Sequence, residues 1–241
     1  MTKTTWNDFN ADEFYFEEKK AVIVYPKEKP NGKWIIKTEY FNAFPDVEIA
    51  FLNKGYHLLY IANDNRWAGD EDLSRKARFI EYVSKKFELY EKCIPIGYSC
   101  GGLYAVKLAE KYPHLVAGMY IDAPALNVLS LAGLGDRKEN TEQFFIEIAN
   151  SLGLTRSNIV NYRDSAIDNM EPLIENDIPI YMSYGNADDV VIYYENGKVL
   201  YDFYIANGGN IKTECISMRK HHPHGVENPQ RVIDFIEENM R

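Results

Sequence analysis

The hexapeptide Gly97-Tyr98-Ser99-Cys100-Gly101-Gly102 constrains the fold of this chain most, because it stands between a strand-like and a helix-like segment. Lys92-Cys93-Ile94-Pro95-Ile96 before it is short and apolar, the pattern of a strand buried in a parallel sheet. Leu103 to Lys111 after it places Leu103, Val106 and Leu108 near helical spacing and leaves Lys107, Glu110 and Lys111 to face water. A serine at such a junction sits on a tight, strained turn, which demands little or no side chain on its neighbours. The following helix then directs its free N–H groups at whatever the hydroxyl attacks. In this setting G-x-S-x-G marks Ser99 as a candidate nucleophile; outside it, the same letters would be a glycine-rich turn with an incidental serine.

The rest of the chain alternates in the same way. Ala21 to Tyr25, Trp34 to Lys37 and His57 to Ile61 read as strands, and Asp46 to Leu52 as a helix closed by Gly55. Ser74 to Phe87 is an amphipathic helix. Beyond the serine, Gly118 to Asp122, Ile178 to Tyr184 and Lys212 to Met218 are strands, with helices over Val199 to Ala206 and Arg231 to Asn239. This order predicts an α/β fold with a mainly parallel, twisted sheet and helices on both faces. Leu126 to Ile174 offers helical segments and no strand, so it reads as a small helical insertion in a single domain spanning 1–241. The pair Phe144-Phe145 within it reads as core.

With 241 residues, 46% hydrophobic and 26% charged, the chain can bury a substantial core. A net charge of −9 argues against nucleic acid and anionic membrane as partners. No stretch is apolar enough to span a bilayer, and the start lacks a signal-peptide pattern. Cys93, Cys100 and Cys215 form no CxxC pair, which points to a reducing, cytoplasmic setting.

A serine hydroxyl needs a base within hydrogen-bond reach and an acid that orients the base. After the strand ending at Tyr184 comes Gly185-Asn186-Ala187-Asp188-Asp189, where Asp188 and Asp189 compete for the acid, Asp188 preferred. After the last strand comes Arg219-Lys220-His221-His222-Pro223-His224-Gly225, three of the five histidines in one loop. His221 comes first after the strand, His224 is its main rival and His222 a weaker one. His57 and His114 read as packing or surface residues. HHPH also suggests zinc, but no cysteine or carboxylate cluster accompanies it locally, so neither a metal nor another cofactor is expected. Cys100 reads as a structural thiol that lends its backbone N–H to an oxyanion.

With serine, acid and histidine in that order, the chain resembles the α/β-hydrolase superfamily from about Ala21 to Met240. The ending from His221 to Pro229 and the G-x-x-D loop from Gly185 to Asp188 are similar to that family's, which favours His221 and Asp188. The resemblance implies an oxyanion hole with one N–H from Cys100. The second donor would come from Ile36 to Tyr40, with Lys37 and Thr38 the candidates; the HGGG form of that loop is absent. WIIKTEYF, Asp122 to Pro124, Glu195-Asn196 and Gly208-Gly209 look like an esterase-like or prolyl-oligopeptidase-like bacterial branch. The resemblance thus implies a serine hydrolase acting on a carboxylic ester of a small or medium soluble substrate, an acylated carbohydrate being one such class. A peptidase, amidase or thioesterase would use the same residues, and a non-catalytic binding protein would have no need of them.

Overall fold

The computed structural model describes residues 1–137 and 141–240. Nine strands form one sheet: β1 (Thr2–Trp6), β2 (Phe9–Phe16), β3 (Lys19–Val24), β4 (Trp34–Lys37), β5 (His57–Ile61), β6 (Ile94–Tyr98), β7 (Met119–Asp122), β8 (Ile180–Gly185) and β9 (Ile211–Ile216). Their spatial order is β1-β2-β3-β5-β4-β6-β7-β8-β9. From β5 through β9 every pairing is parallel, while β1, β2 and β3 continue the sheet antiparallel beside β5.

The first two strands lie outside the expected set. Phe9 and Ala11 of β2 face one hydrophobic cluster with exposed Asn10 between them, and Phe14 faces the cluster on the other side of the sheet, as period-2 alternation requires. Asn7 and Asp8 close the first hairpin with φ of 45° and 65°, the paired positive values that suit a two-residue turn. The next turn, Glu17-Glu18, adopts similar values with residues that carry no turn signal.

Helices cover both faces. Helix α1 (Asp46–Asn53) and helix α7 (Gln230–Asn239) pack against one face through Phe51, Leu52, Ile233 and Ile236. Helix α2 (Asp70–Lys86), helix α3 (Cys100–Lys111) and helix α6 (Gly197–Ala206) pack against the other. Helix α2 starts at Asp70, before the expected Ser74, because Asp70, Glu71 and Asp72 set negative charge on the N-terminal end of the helix dipole. Between β7 and β8, helices α4 (Thr141–Leu152) and α5 (Glu171–Glu175) occupy the segment from 126 to 174, with no strand among its described residues. Among the described residues no helix is long and apolar enough to cross a membrane.

This segment corrects the expected water-facing side of α3. Lys107 and Glu110 are buried, and Lys107 Nζ donates to the Asp164 carbonyl at 2.8 Å and to its carboxylate at 2.6 Å. Burial pushes the Glu110 carboxyl up to about 9 against the pull of Lys107, and its Oε1 has no hydrogen-bond partner. The unfolded chain releases that proton near the ordinary glutamate value, so from about pH 4 to 9 stability falls as pH rises. Glu110→Gln is therefore expected to gain about 1–3 kcal/mol over wild type at pH 8 and almost nothing at pH 4 in paired thermal melts.

The chain runs from β4 through α1 to β5 on one side, then crosses by α2 to β6 on the other side of β4. Consecutive connections thus diverge at the β4–β6 boundary, and a crevice opens at the carboxyl ends of those strands. Ser99 and the loop after Lys37 both sit there.

Candidate active site

Tight packing dictates the residues around Ser99. A Cβ on Gly97 would lie 2.2 Å from the Gly101 carbonyl oxygen, and one on Gly102 would lie 2.5 Å from Pro124 Cβ. Ser99 itself has φ 52° and ψ −119°, a conformation that costs on the order of 1–3 kcal/mol for a residue with a side chain. Its backbone is pinned on both sides, with its N–H donating to Asp122 O at 3.0 Å and its carbonyl accepting from Ala125 at 3.0 Å. The strained turn presents the hydroxyl at the head of α3.

His221 Nε2 lies 3.0 Å from Ser99 Oγ, and His221 Nδ1 lies 2.8 Å from Asp188 Oδ2. A carboxylate can only accept here, so Nδ1 carries the proton and Nε2 offers its lone pair to the serine. Asp188 is fixed in turn, its Oδ1 accepting the Val190 and Val191 N–H groups at 2.9 Å each. Asp189 points into solvent and pairs with Lys220 at 3.2 Å.

His224 does not reach the serine. Its Nδ1 lies 2.9 Å from Asp122 Oδ2, and its ring stacks on Tyr98 with centroids 5.5 Å apart. Asp122, at the end of β7, also accepts from Ser183 Oγ at 2.6 Å, from Gly225 N–H at 2.9 Å and from the Arg219 guanidinium. Burial pushes the Asp122 carboxyl up, but His224 and Arg219 outweigh it and hold it below the usual carboxylate range. The sequence offers Asp122 no site role beyond its place in the resemblance, yet it anchors the whole histidine loop. His222 is exposed and lies parallel to Phe44. The three imidazoles together present one nitrogen each within 4.8 Å of one another.

The structure does not bring Lys37 and Thr38 to the serine. Lys37 ends β4 with its ammonium beneath the sheet, paired with Glu48 and donating to Ala43 O at 3.2 Å. Thr38 uses its N–H on Ile96 O at 3.1 Å, and its hydroxyl lies within hydrogen-bond distance of Ile96 O and Gly101 O. Tyr40, at φ 54°, is the residue of this loop that lines the cleft beside Ser99 and Cys100, and its hydroxyl is held by Cys100 and Arg66. Burial pushes the Cys100 thiol up, against the pull of Arg66, which keeps it an inert thiol at neutral pH.

The cleft above these groups has a volume of about 360 Å³ and is walled by Tyr40, Phe44, Arg66, Leu131, Arg137 and Phe144. Phe144 is half-buried rather than core, meeting Trp67 edge-on at 5.8 Å with the Arg137 guanidinium 3.7 Å above its ring. Arg66 is paired with Glu147 of α4 at 2.5 and 2.9 Å, so the helical segment supplies one wall.

No protein-family model matches the sequence, and no curated protein does. Solved structures match over nearly the whole chain. An acylaminoacyl peptidase from Pyrococcus horikoshii superposes with a TM-score of 0.72 at 14% identity, covering 96% of this chain and 42% of its own. Esterase B from Lactobacillus rhamnosis gives 0.68 at 12% identity, covering 98% and 89%. S-formylglutathione hydrolase FrmB from Staphylococcus aureus gives 0.65 at 12%, covering 89% and 92%. This chain has the α/β-hydrolase fold. It spans about two fifths of that peptidase and nearly all of the two smaller enzymes. In this fold the β4–β6 crevice is where Ser99, His221 and Tyr40 meet, which makes it the site to interpret.

Proposed function

We propose that this α/β-hydrolase-fold protein is a serine hydrolase that cleaves a carboxylic ester of a small or medium substrate through an acyl-enzyme on Ser99. The hydrogen-bonded series Ser99, His221, Asp188 carries the proposal. Ser99 Oγ attacks the acyl carbonyl while His221 Nε2 takes its proton, and Asp188 steadies the imidazolium that results. The Cys100 N–H, at the first turn of α3, has no helical acceptor and faces the developing oxyanion. Tyr40 lines the same cleft, and its hydroxyl, once released from Cys100, would be the second donor. Each such donor is typically worth about 3 kcal/mol in the transition state. His221 then protonates the leaving alcohol and activates water against the acyl-enzyme.

The cleft supports an ester over a peptide with a free amino terminus. Gripping an ammonium calls for a carboxylate beside the nucleophile, whereas the described lining residues include Arg66 and Arg137 and no Asp or Glu. The volume of about 360 Å³ suits an acyl group of modest length.

The deciding experiment is a fluorophosphonate probe read by intact mass. Wild type is expected to gain one adduct and Ser99→Ala none. A folded wild type that gains no adduct would sink the proposal. A panel of p-nitrophenyl esters, run beside aminoacyl anilides, should show turnover only on the esters.

A further inference from the structure

Three imidazoles cluster beside Ser99, and the fold backs two of them with carboxylates, as metal ligands are backed. The ring centroids of His221, His222 and His224 form a nearly equilateral triangle with sides of 4.8, 4.8 and 4.9 Å. Three imidazoles bound tetrahedrally to one ion at about 2.0–2.1 Å have ring centres roughly 5 Å apart. Their nitrogens, now within 4.8 Å of one another, need to close to about 3.3 Å around a shared ion. His222, exposed and stacked on Phe44, is the ring that has to turn to close that gap.

Behind the triangle stand two carboxylates. Asp188 accepts a hydrogen bond from His221 Nδ1–H at 2.8 Å and Asp122 accepts one from His224 Nδ1–H at 2.9 Å. Each leaves Nε2 unprotonated, that of His221 now facing Ser99 Oγ at 3.0 Å, and a carboxylate behind Nδ1 is the support that metal-binding histidines almost always have. As sequence, HHPH lacks a local carboxylate; the fold supplies one from 33 and another from 102 residues away. Arg219 offsets only one of these two charges, so the layer behind the rings keeps one negative charge facing a cation bound at the rings, while Arg66 and Arg137 put positive charge elsewhere in the cleft wall.

We propose that His221, His222 and His224 bind a late first-row divalent cation, zinc above all, and that the bound ion silences Ser99. Three neutral imidazoles with a fourth position open to the cleft suit zinc and its neighbours rather than magnesium or calcium. The His221 Nε2 lone pair that accepts the serine proton is the one the metal occupies, and it cannot do both. Bound zinc therefore leaves Ser99 protonated and without a base. The silencing rests on the role proposed for His221; the binding does not.

The test titrates metal-free protein with zinc chloride by calorimetry, using wild type, Ser99→Ala and His222→Gln. Wild type and Ser99→Ala are expected to bind one ion each. His222→Gln, altered at an exposed position, is expected to bind at least about 100-fold more weakly. Cobalt(II) in place of zinc should give wild type the visible absorption of a tetrahedral nitrogen site, lost in His222→Gln. Zinc should block fluorophosphonate labelling of wild type, a chelator should restore it, and His222→Gln should need correspondingly more zinc. Equal affinity in wild type and His222→Gln would overturn the site. Labelling unchanged by bound zinc, or ester turnover raised by it, would overturn the silencing. If wild type fails to label even without metal, the hydrolase proposal falls, and the zinc affinities and cobalt spectrum still decide the site.

Discussion

His221→Ala is expected to lower kcat for ester hydrolysis by roughly 10⁴- to 10⁶-fold, whereas His224→Ala should retain most of the turnover that its weakened fold allows. The two histidines share a loop and similar burial, and each sits on a buried carboxylate. Only His221 has its second nitrogen on Ser99. Without it the serine hydroxyl keeps its proton and stays a poor nucleophile, so the loss should fall on kcat with KM little changed. His224 acts through Asp122, and its removal leaves that carboxylate with Ser183, Gly225 and Arg219 as partners. Steady-state kinetics on both variants, normalised to the folded fraction from thermal melts, separates the roles. A well-folded His224→Ala as dead as His221→Ala would refute the assignment.

The largest stability effect is expected at Arg219. Asp122 is fully buried, and Arg219 is the cation that offsets its charge while also donating to Gly225 O at 2.6 Å. Arg219→Ala leaves a buried carboxylate short of charge compensation, at a cost of about 3–5 kcal/mol. For a chain of this size that lowers Tm by roughly 10 °C. The Asp122 carboxyl sits below its ordinary range when folded, so its contribution is present above the unfolded value near 4 and fades as pH drops further. The gap between wild type and Arg219→Ala in chemical denaturation should accordingly be wide at pH 7 and narrow below about pH 4. The double variant Asp122→Asn/Arg219→Met, which removes both charges, should recover part of the loss.

Much of this arrangement is legible in the sequence, for identifiable reasons. Strands β4 and β5 match their expected limits because apolar runs bounded by turn residues leave little choice. The glycines around Ser99 are legible because the close approaches at Gly97 and Gly102 admit nothing larger. His221 is favoured over His224 by its place after the last strand, but that only its ring reaches Ser99 while His224 is held on Asp122 is a tertiary fact. Where the ladder to β6 takes its last N–H is not legible in the sequence; it takes Thr38's, two residues before Tyr40, and Lys37 Nζ is turned to Glu48 and Ala43. The polar side of α3 was misjudged because the segment carrying Asp164 folds over it. The join of β2 to β3 is hard to read from the sequence because Glu17-Glu18 does not look like a turn.

The separations along the chain have a consequence for synthesis. Ser99 meets His221 across 122 residues, and the carboxylate that orients His221 lies 33 residues before it. The residues of β7 and of the strained turn at Ser99 are all made before Asp188 and His221 are. At that stage the hydroxyl has no base, because the loop from Arg219 to Gly225 has yet to be translated. A product cut short before that loop would display the serine but have nothing to draw its proton away. The base proposed for Ser99 is therefore added only once the loop from Arg219 to Gly225 has been made, and chains terminated before it lack that base.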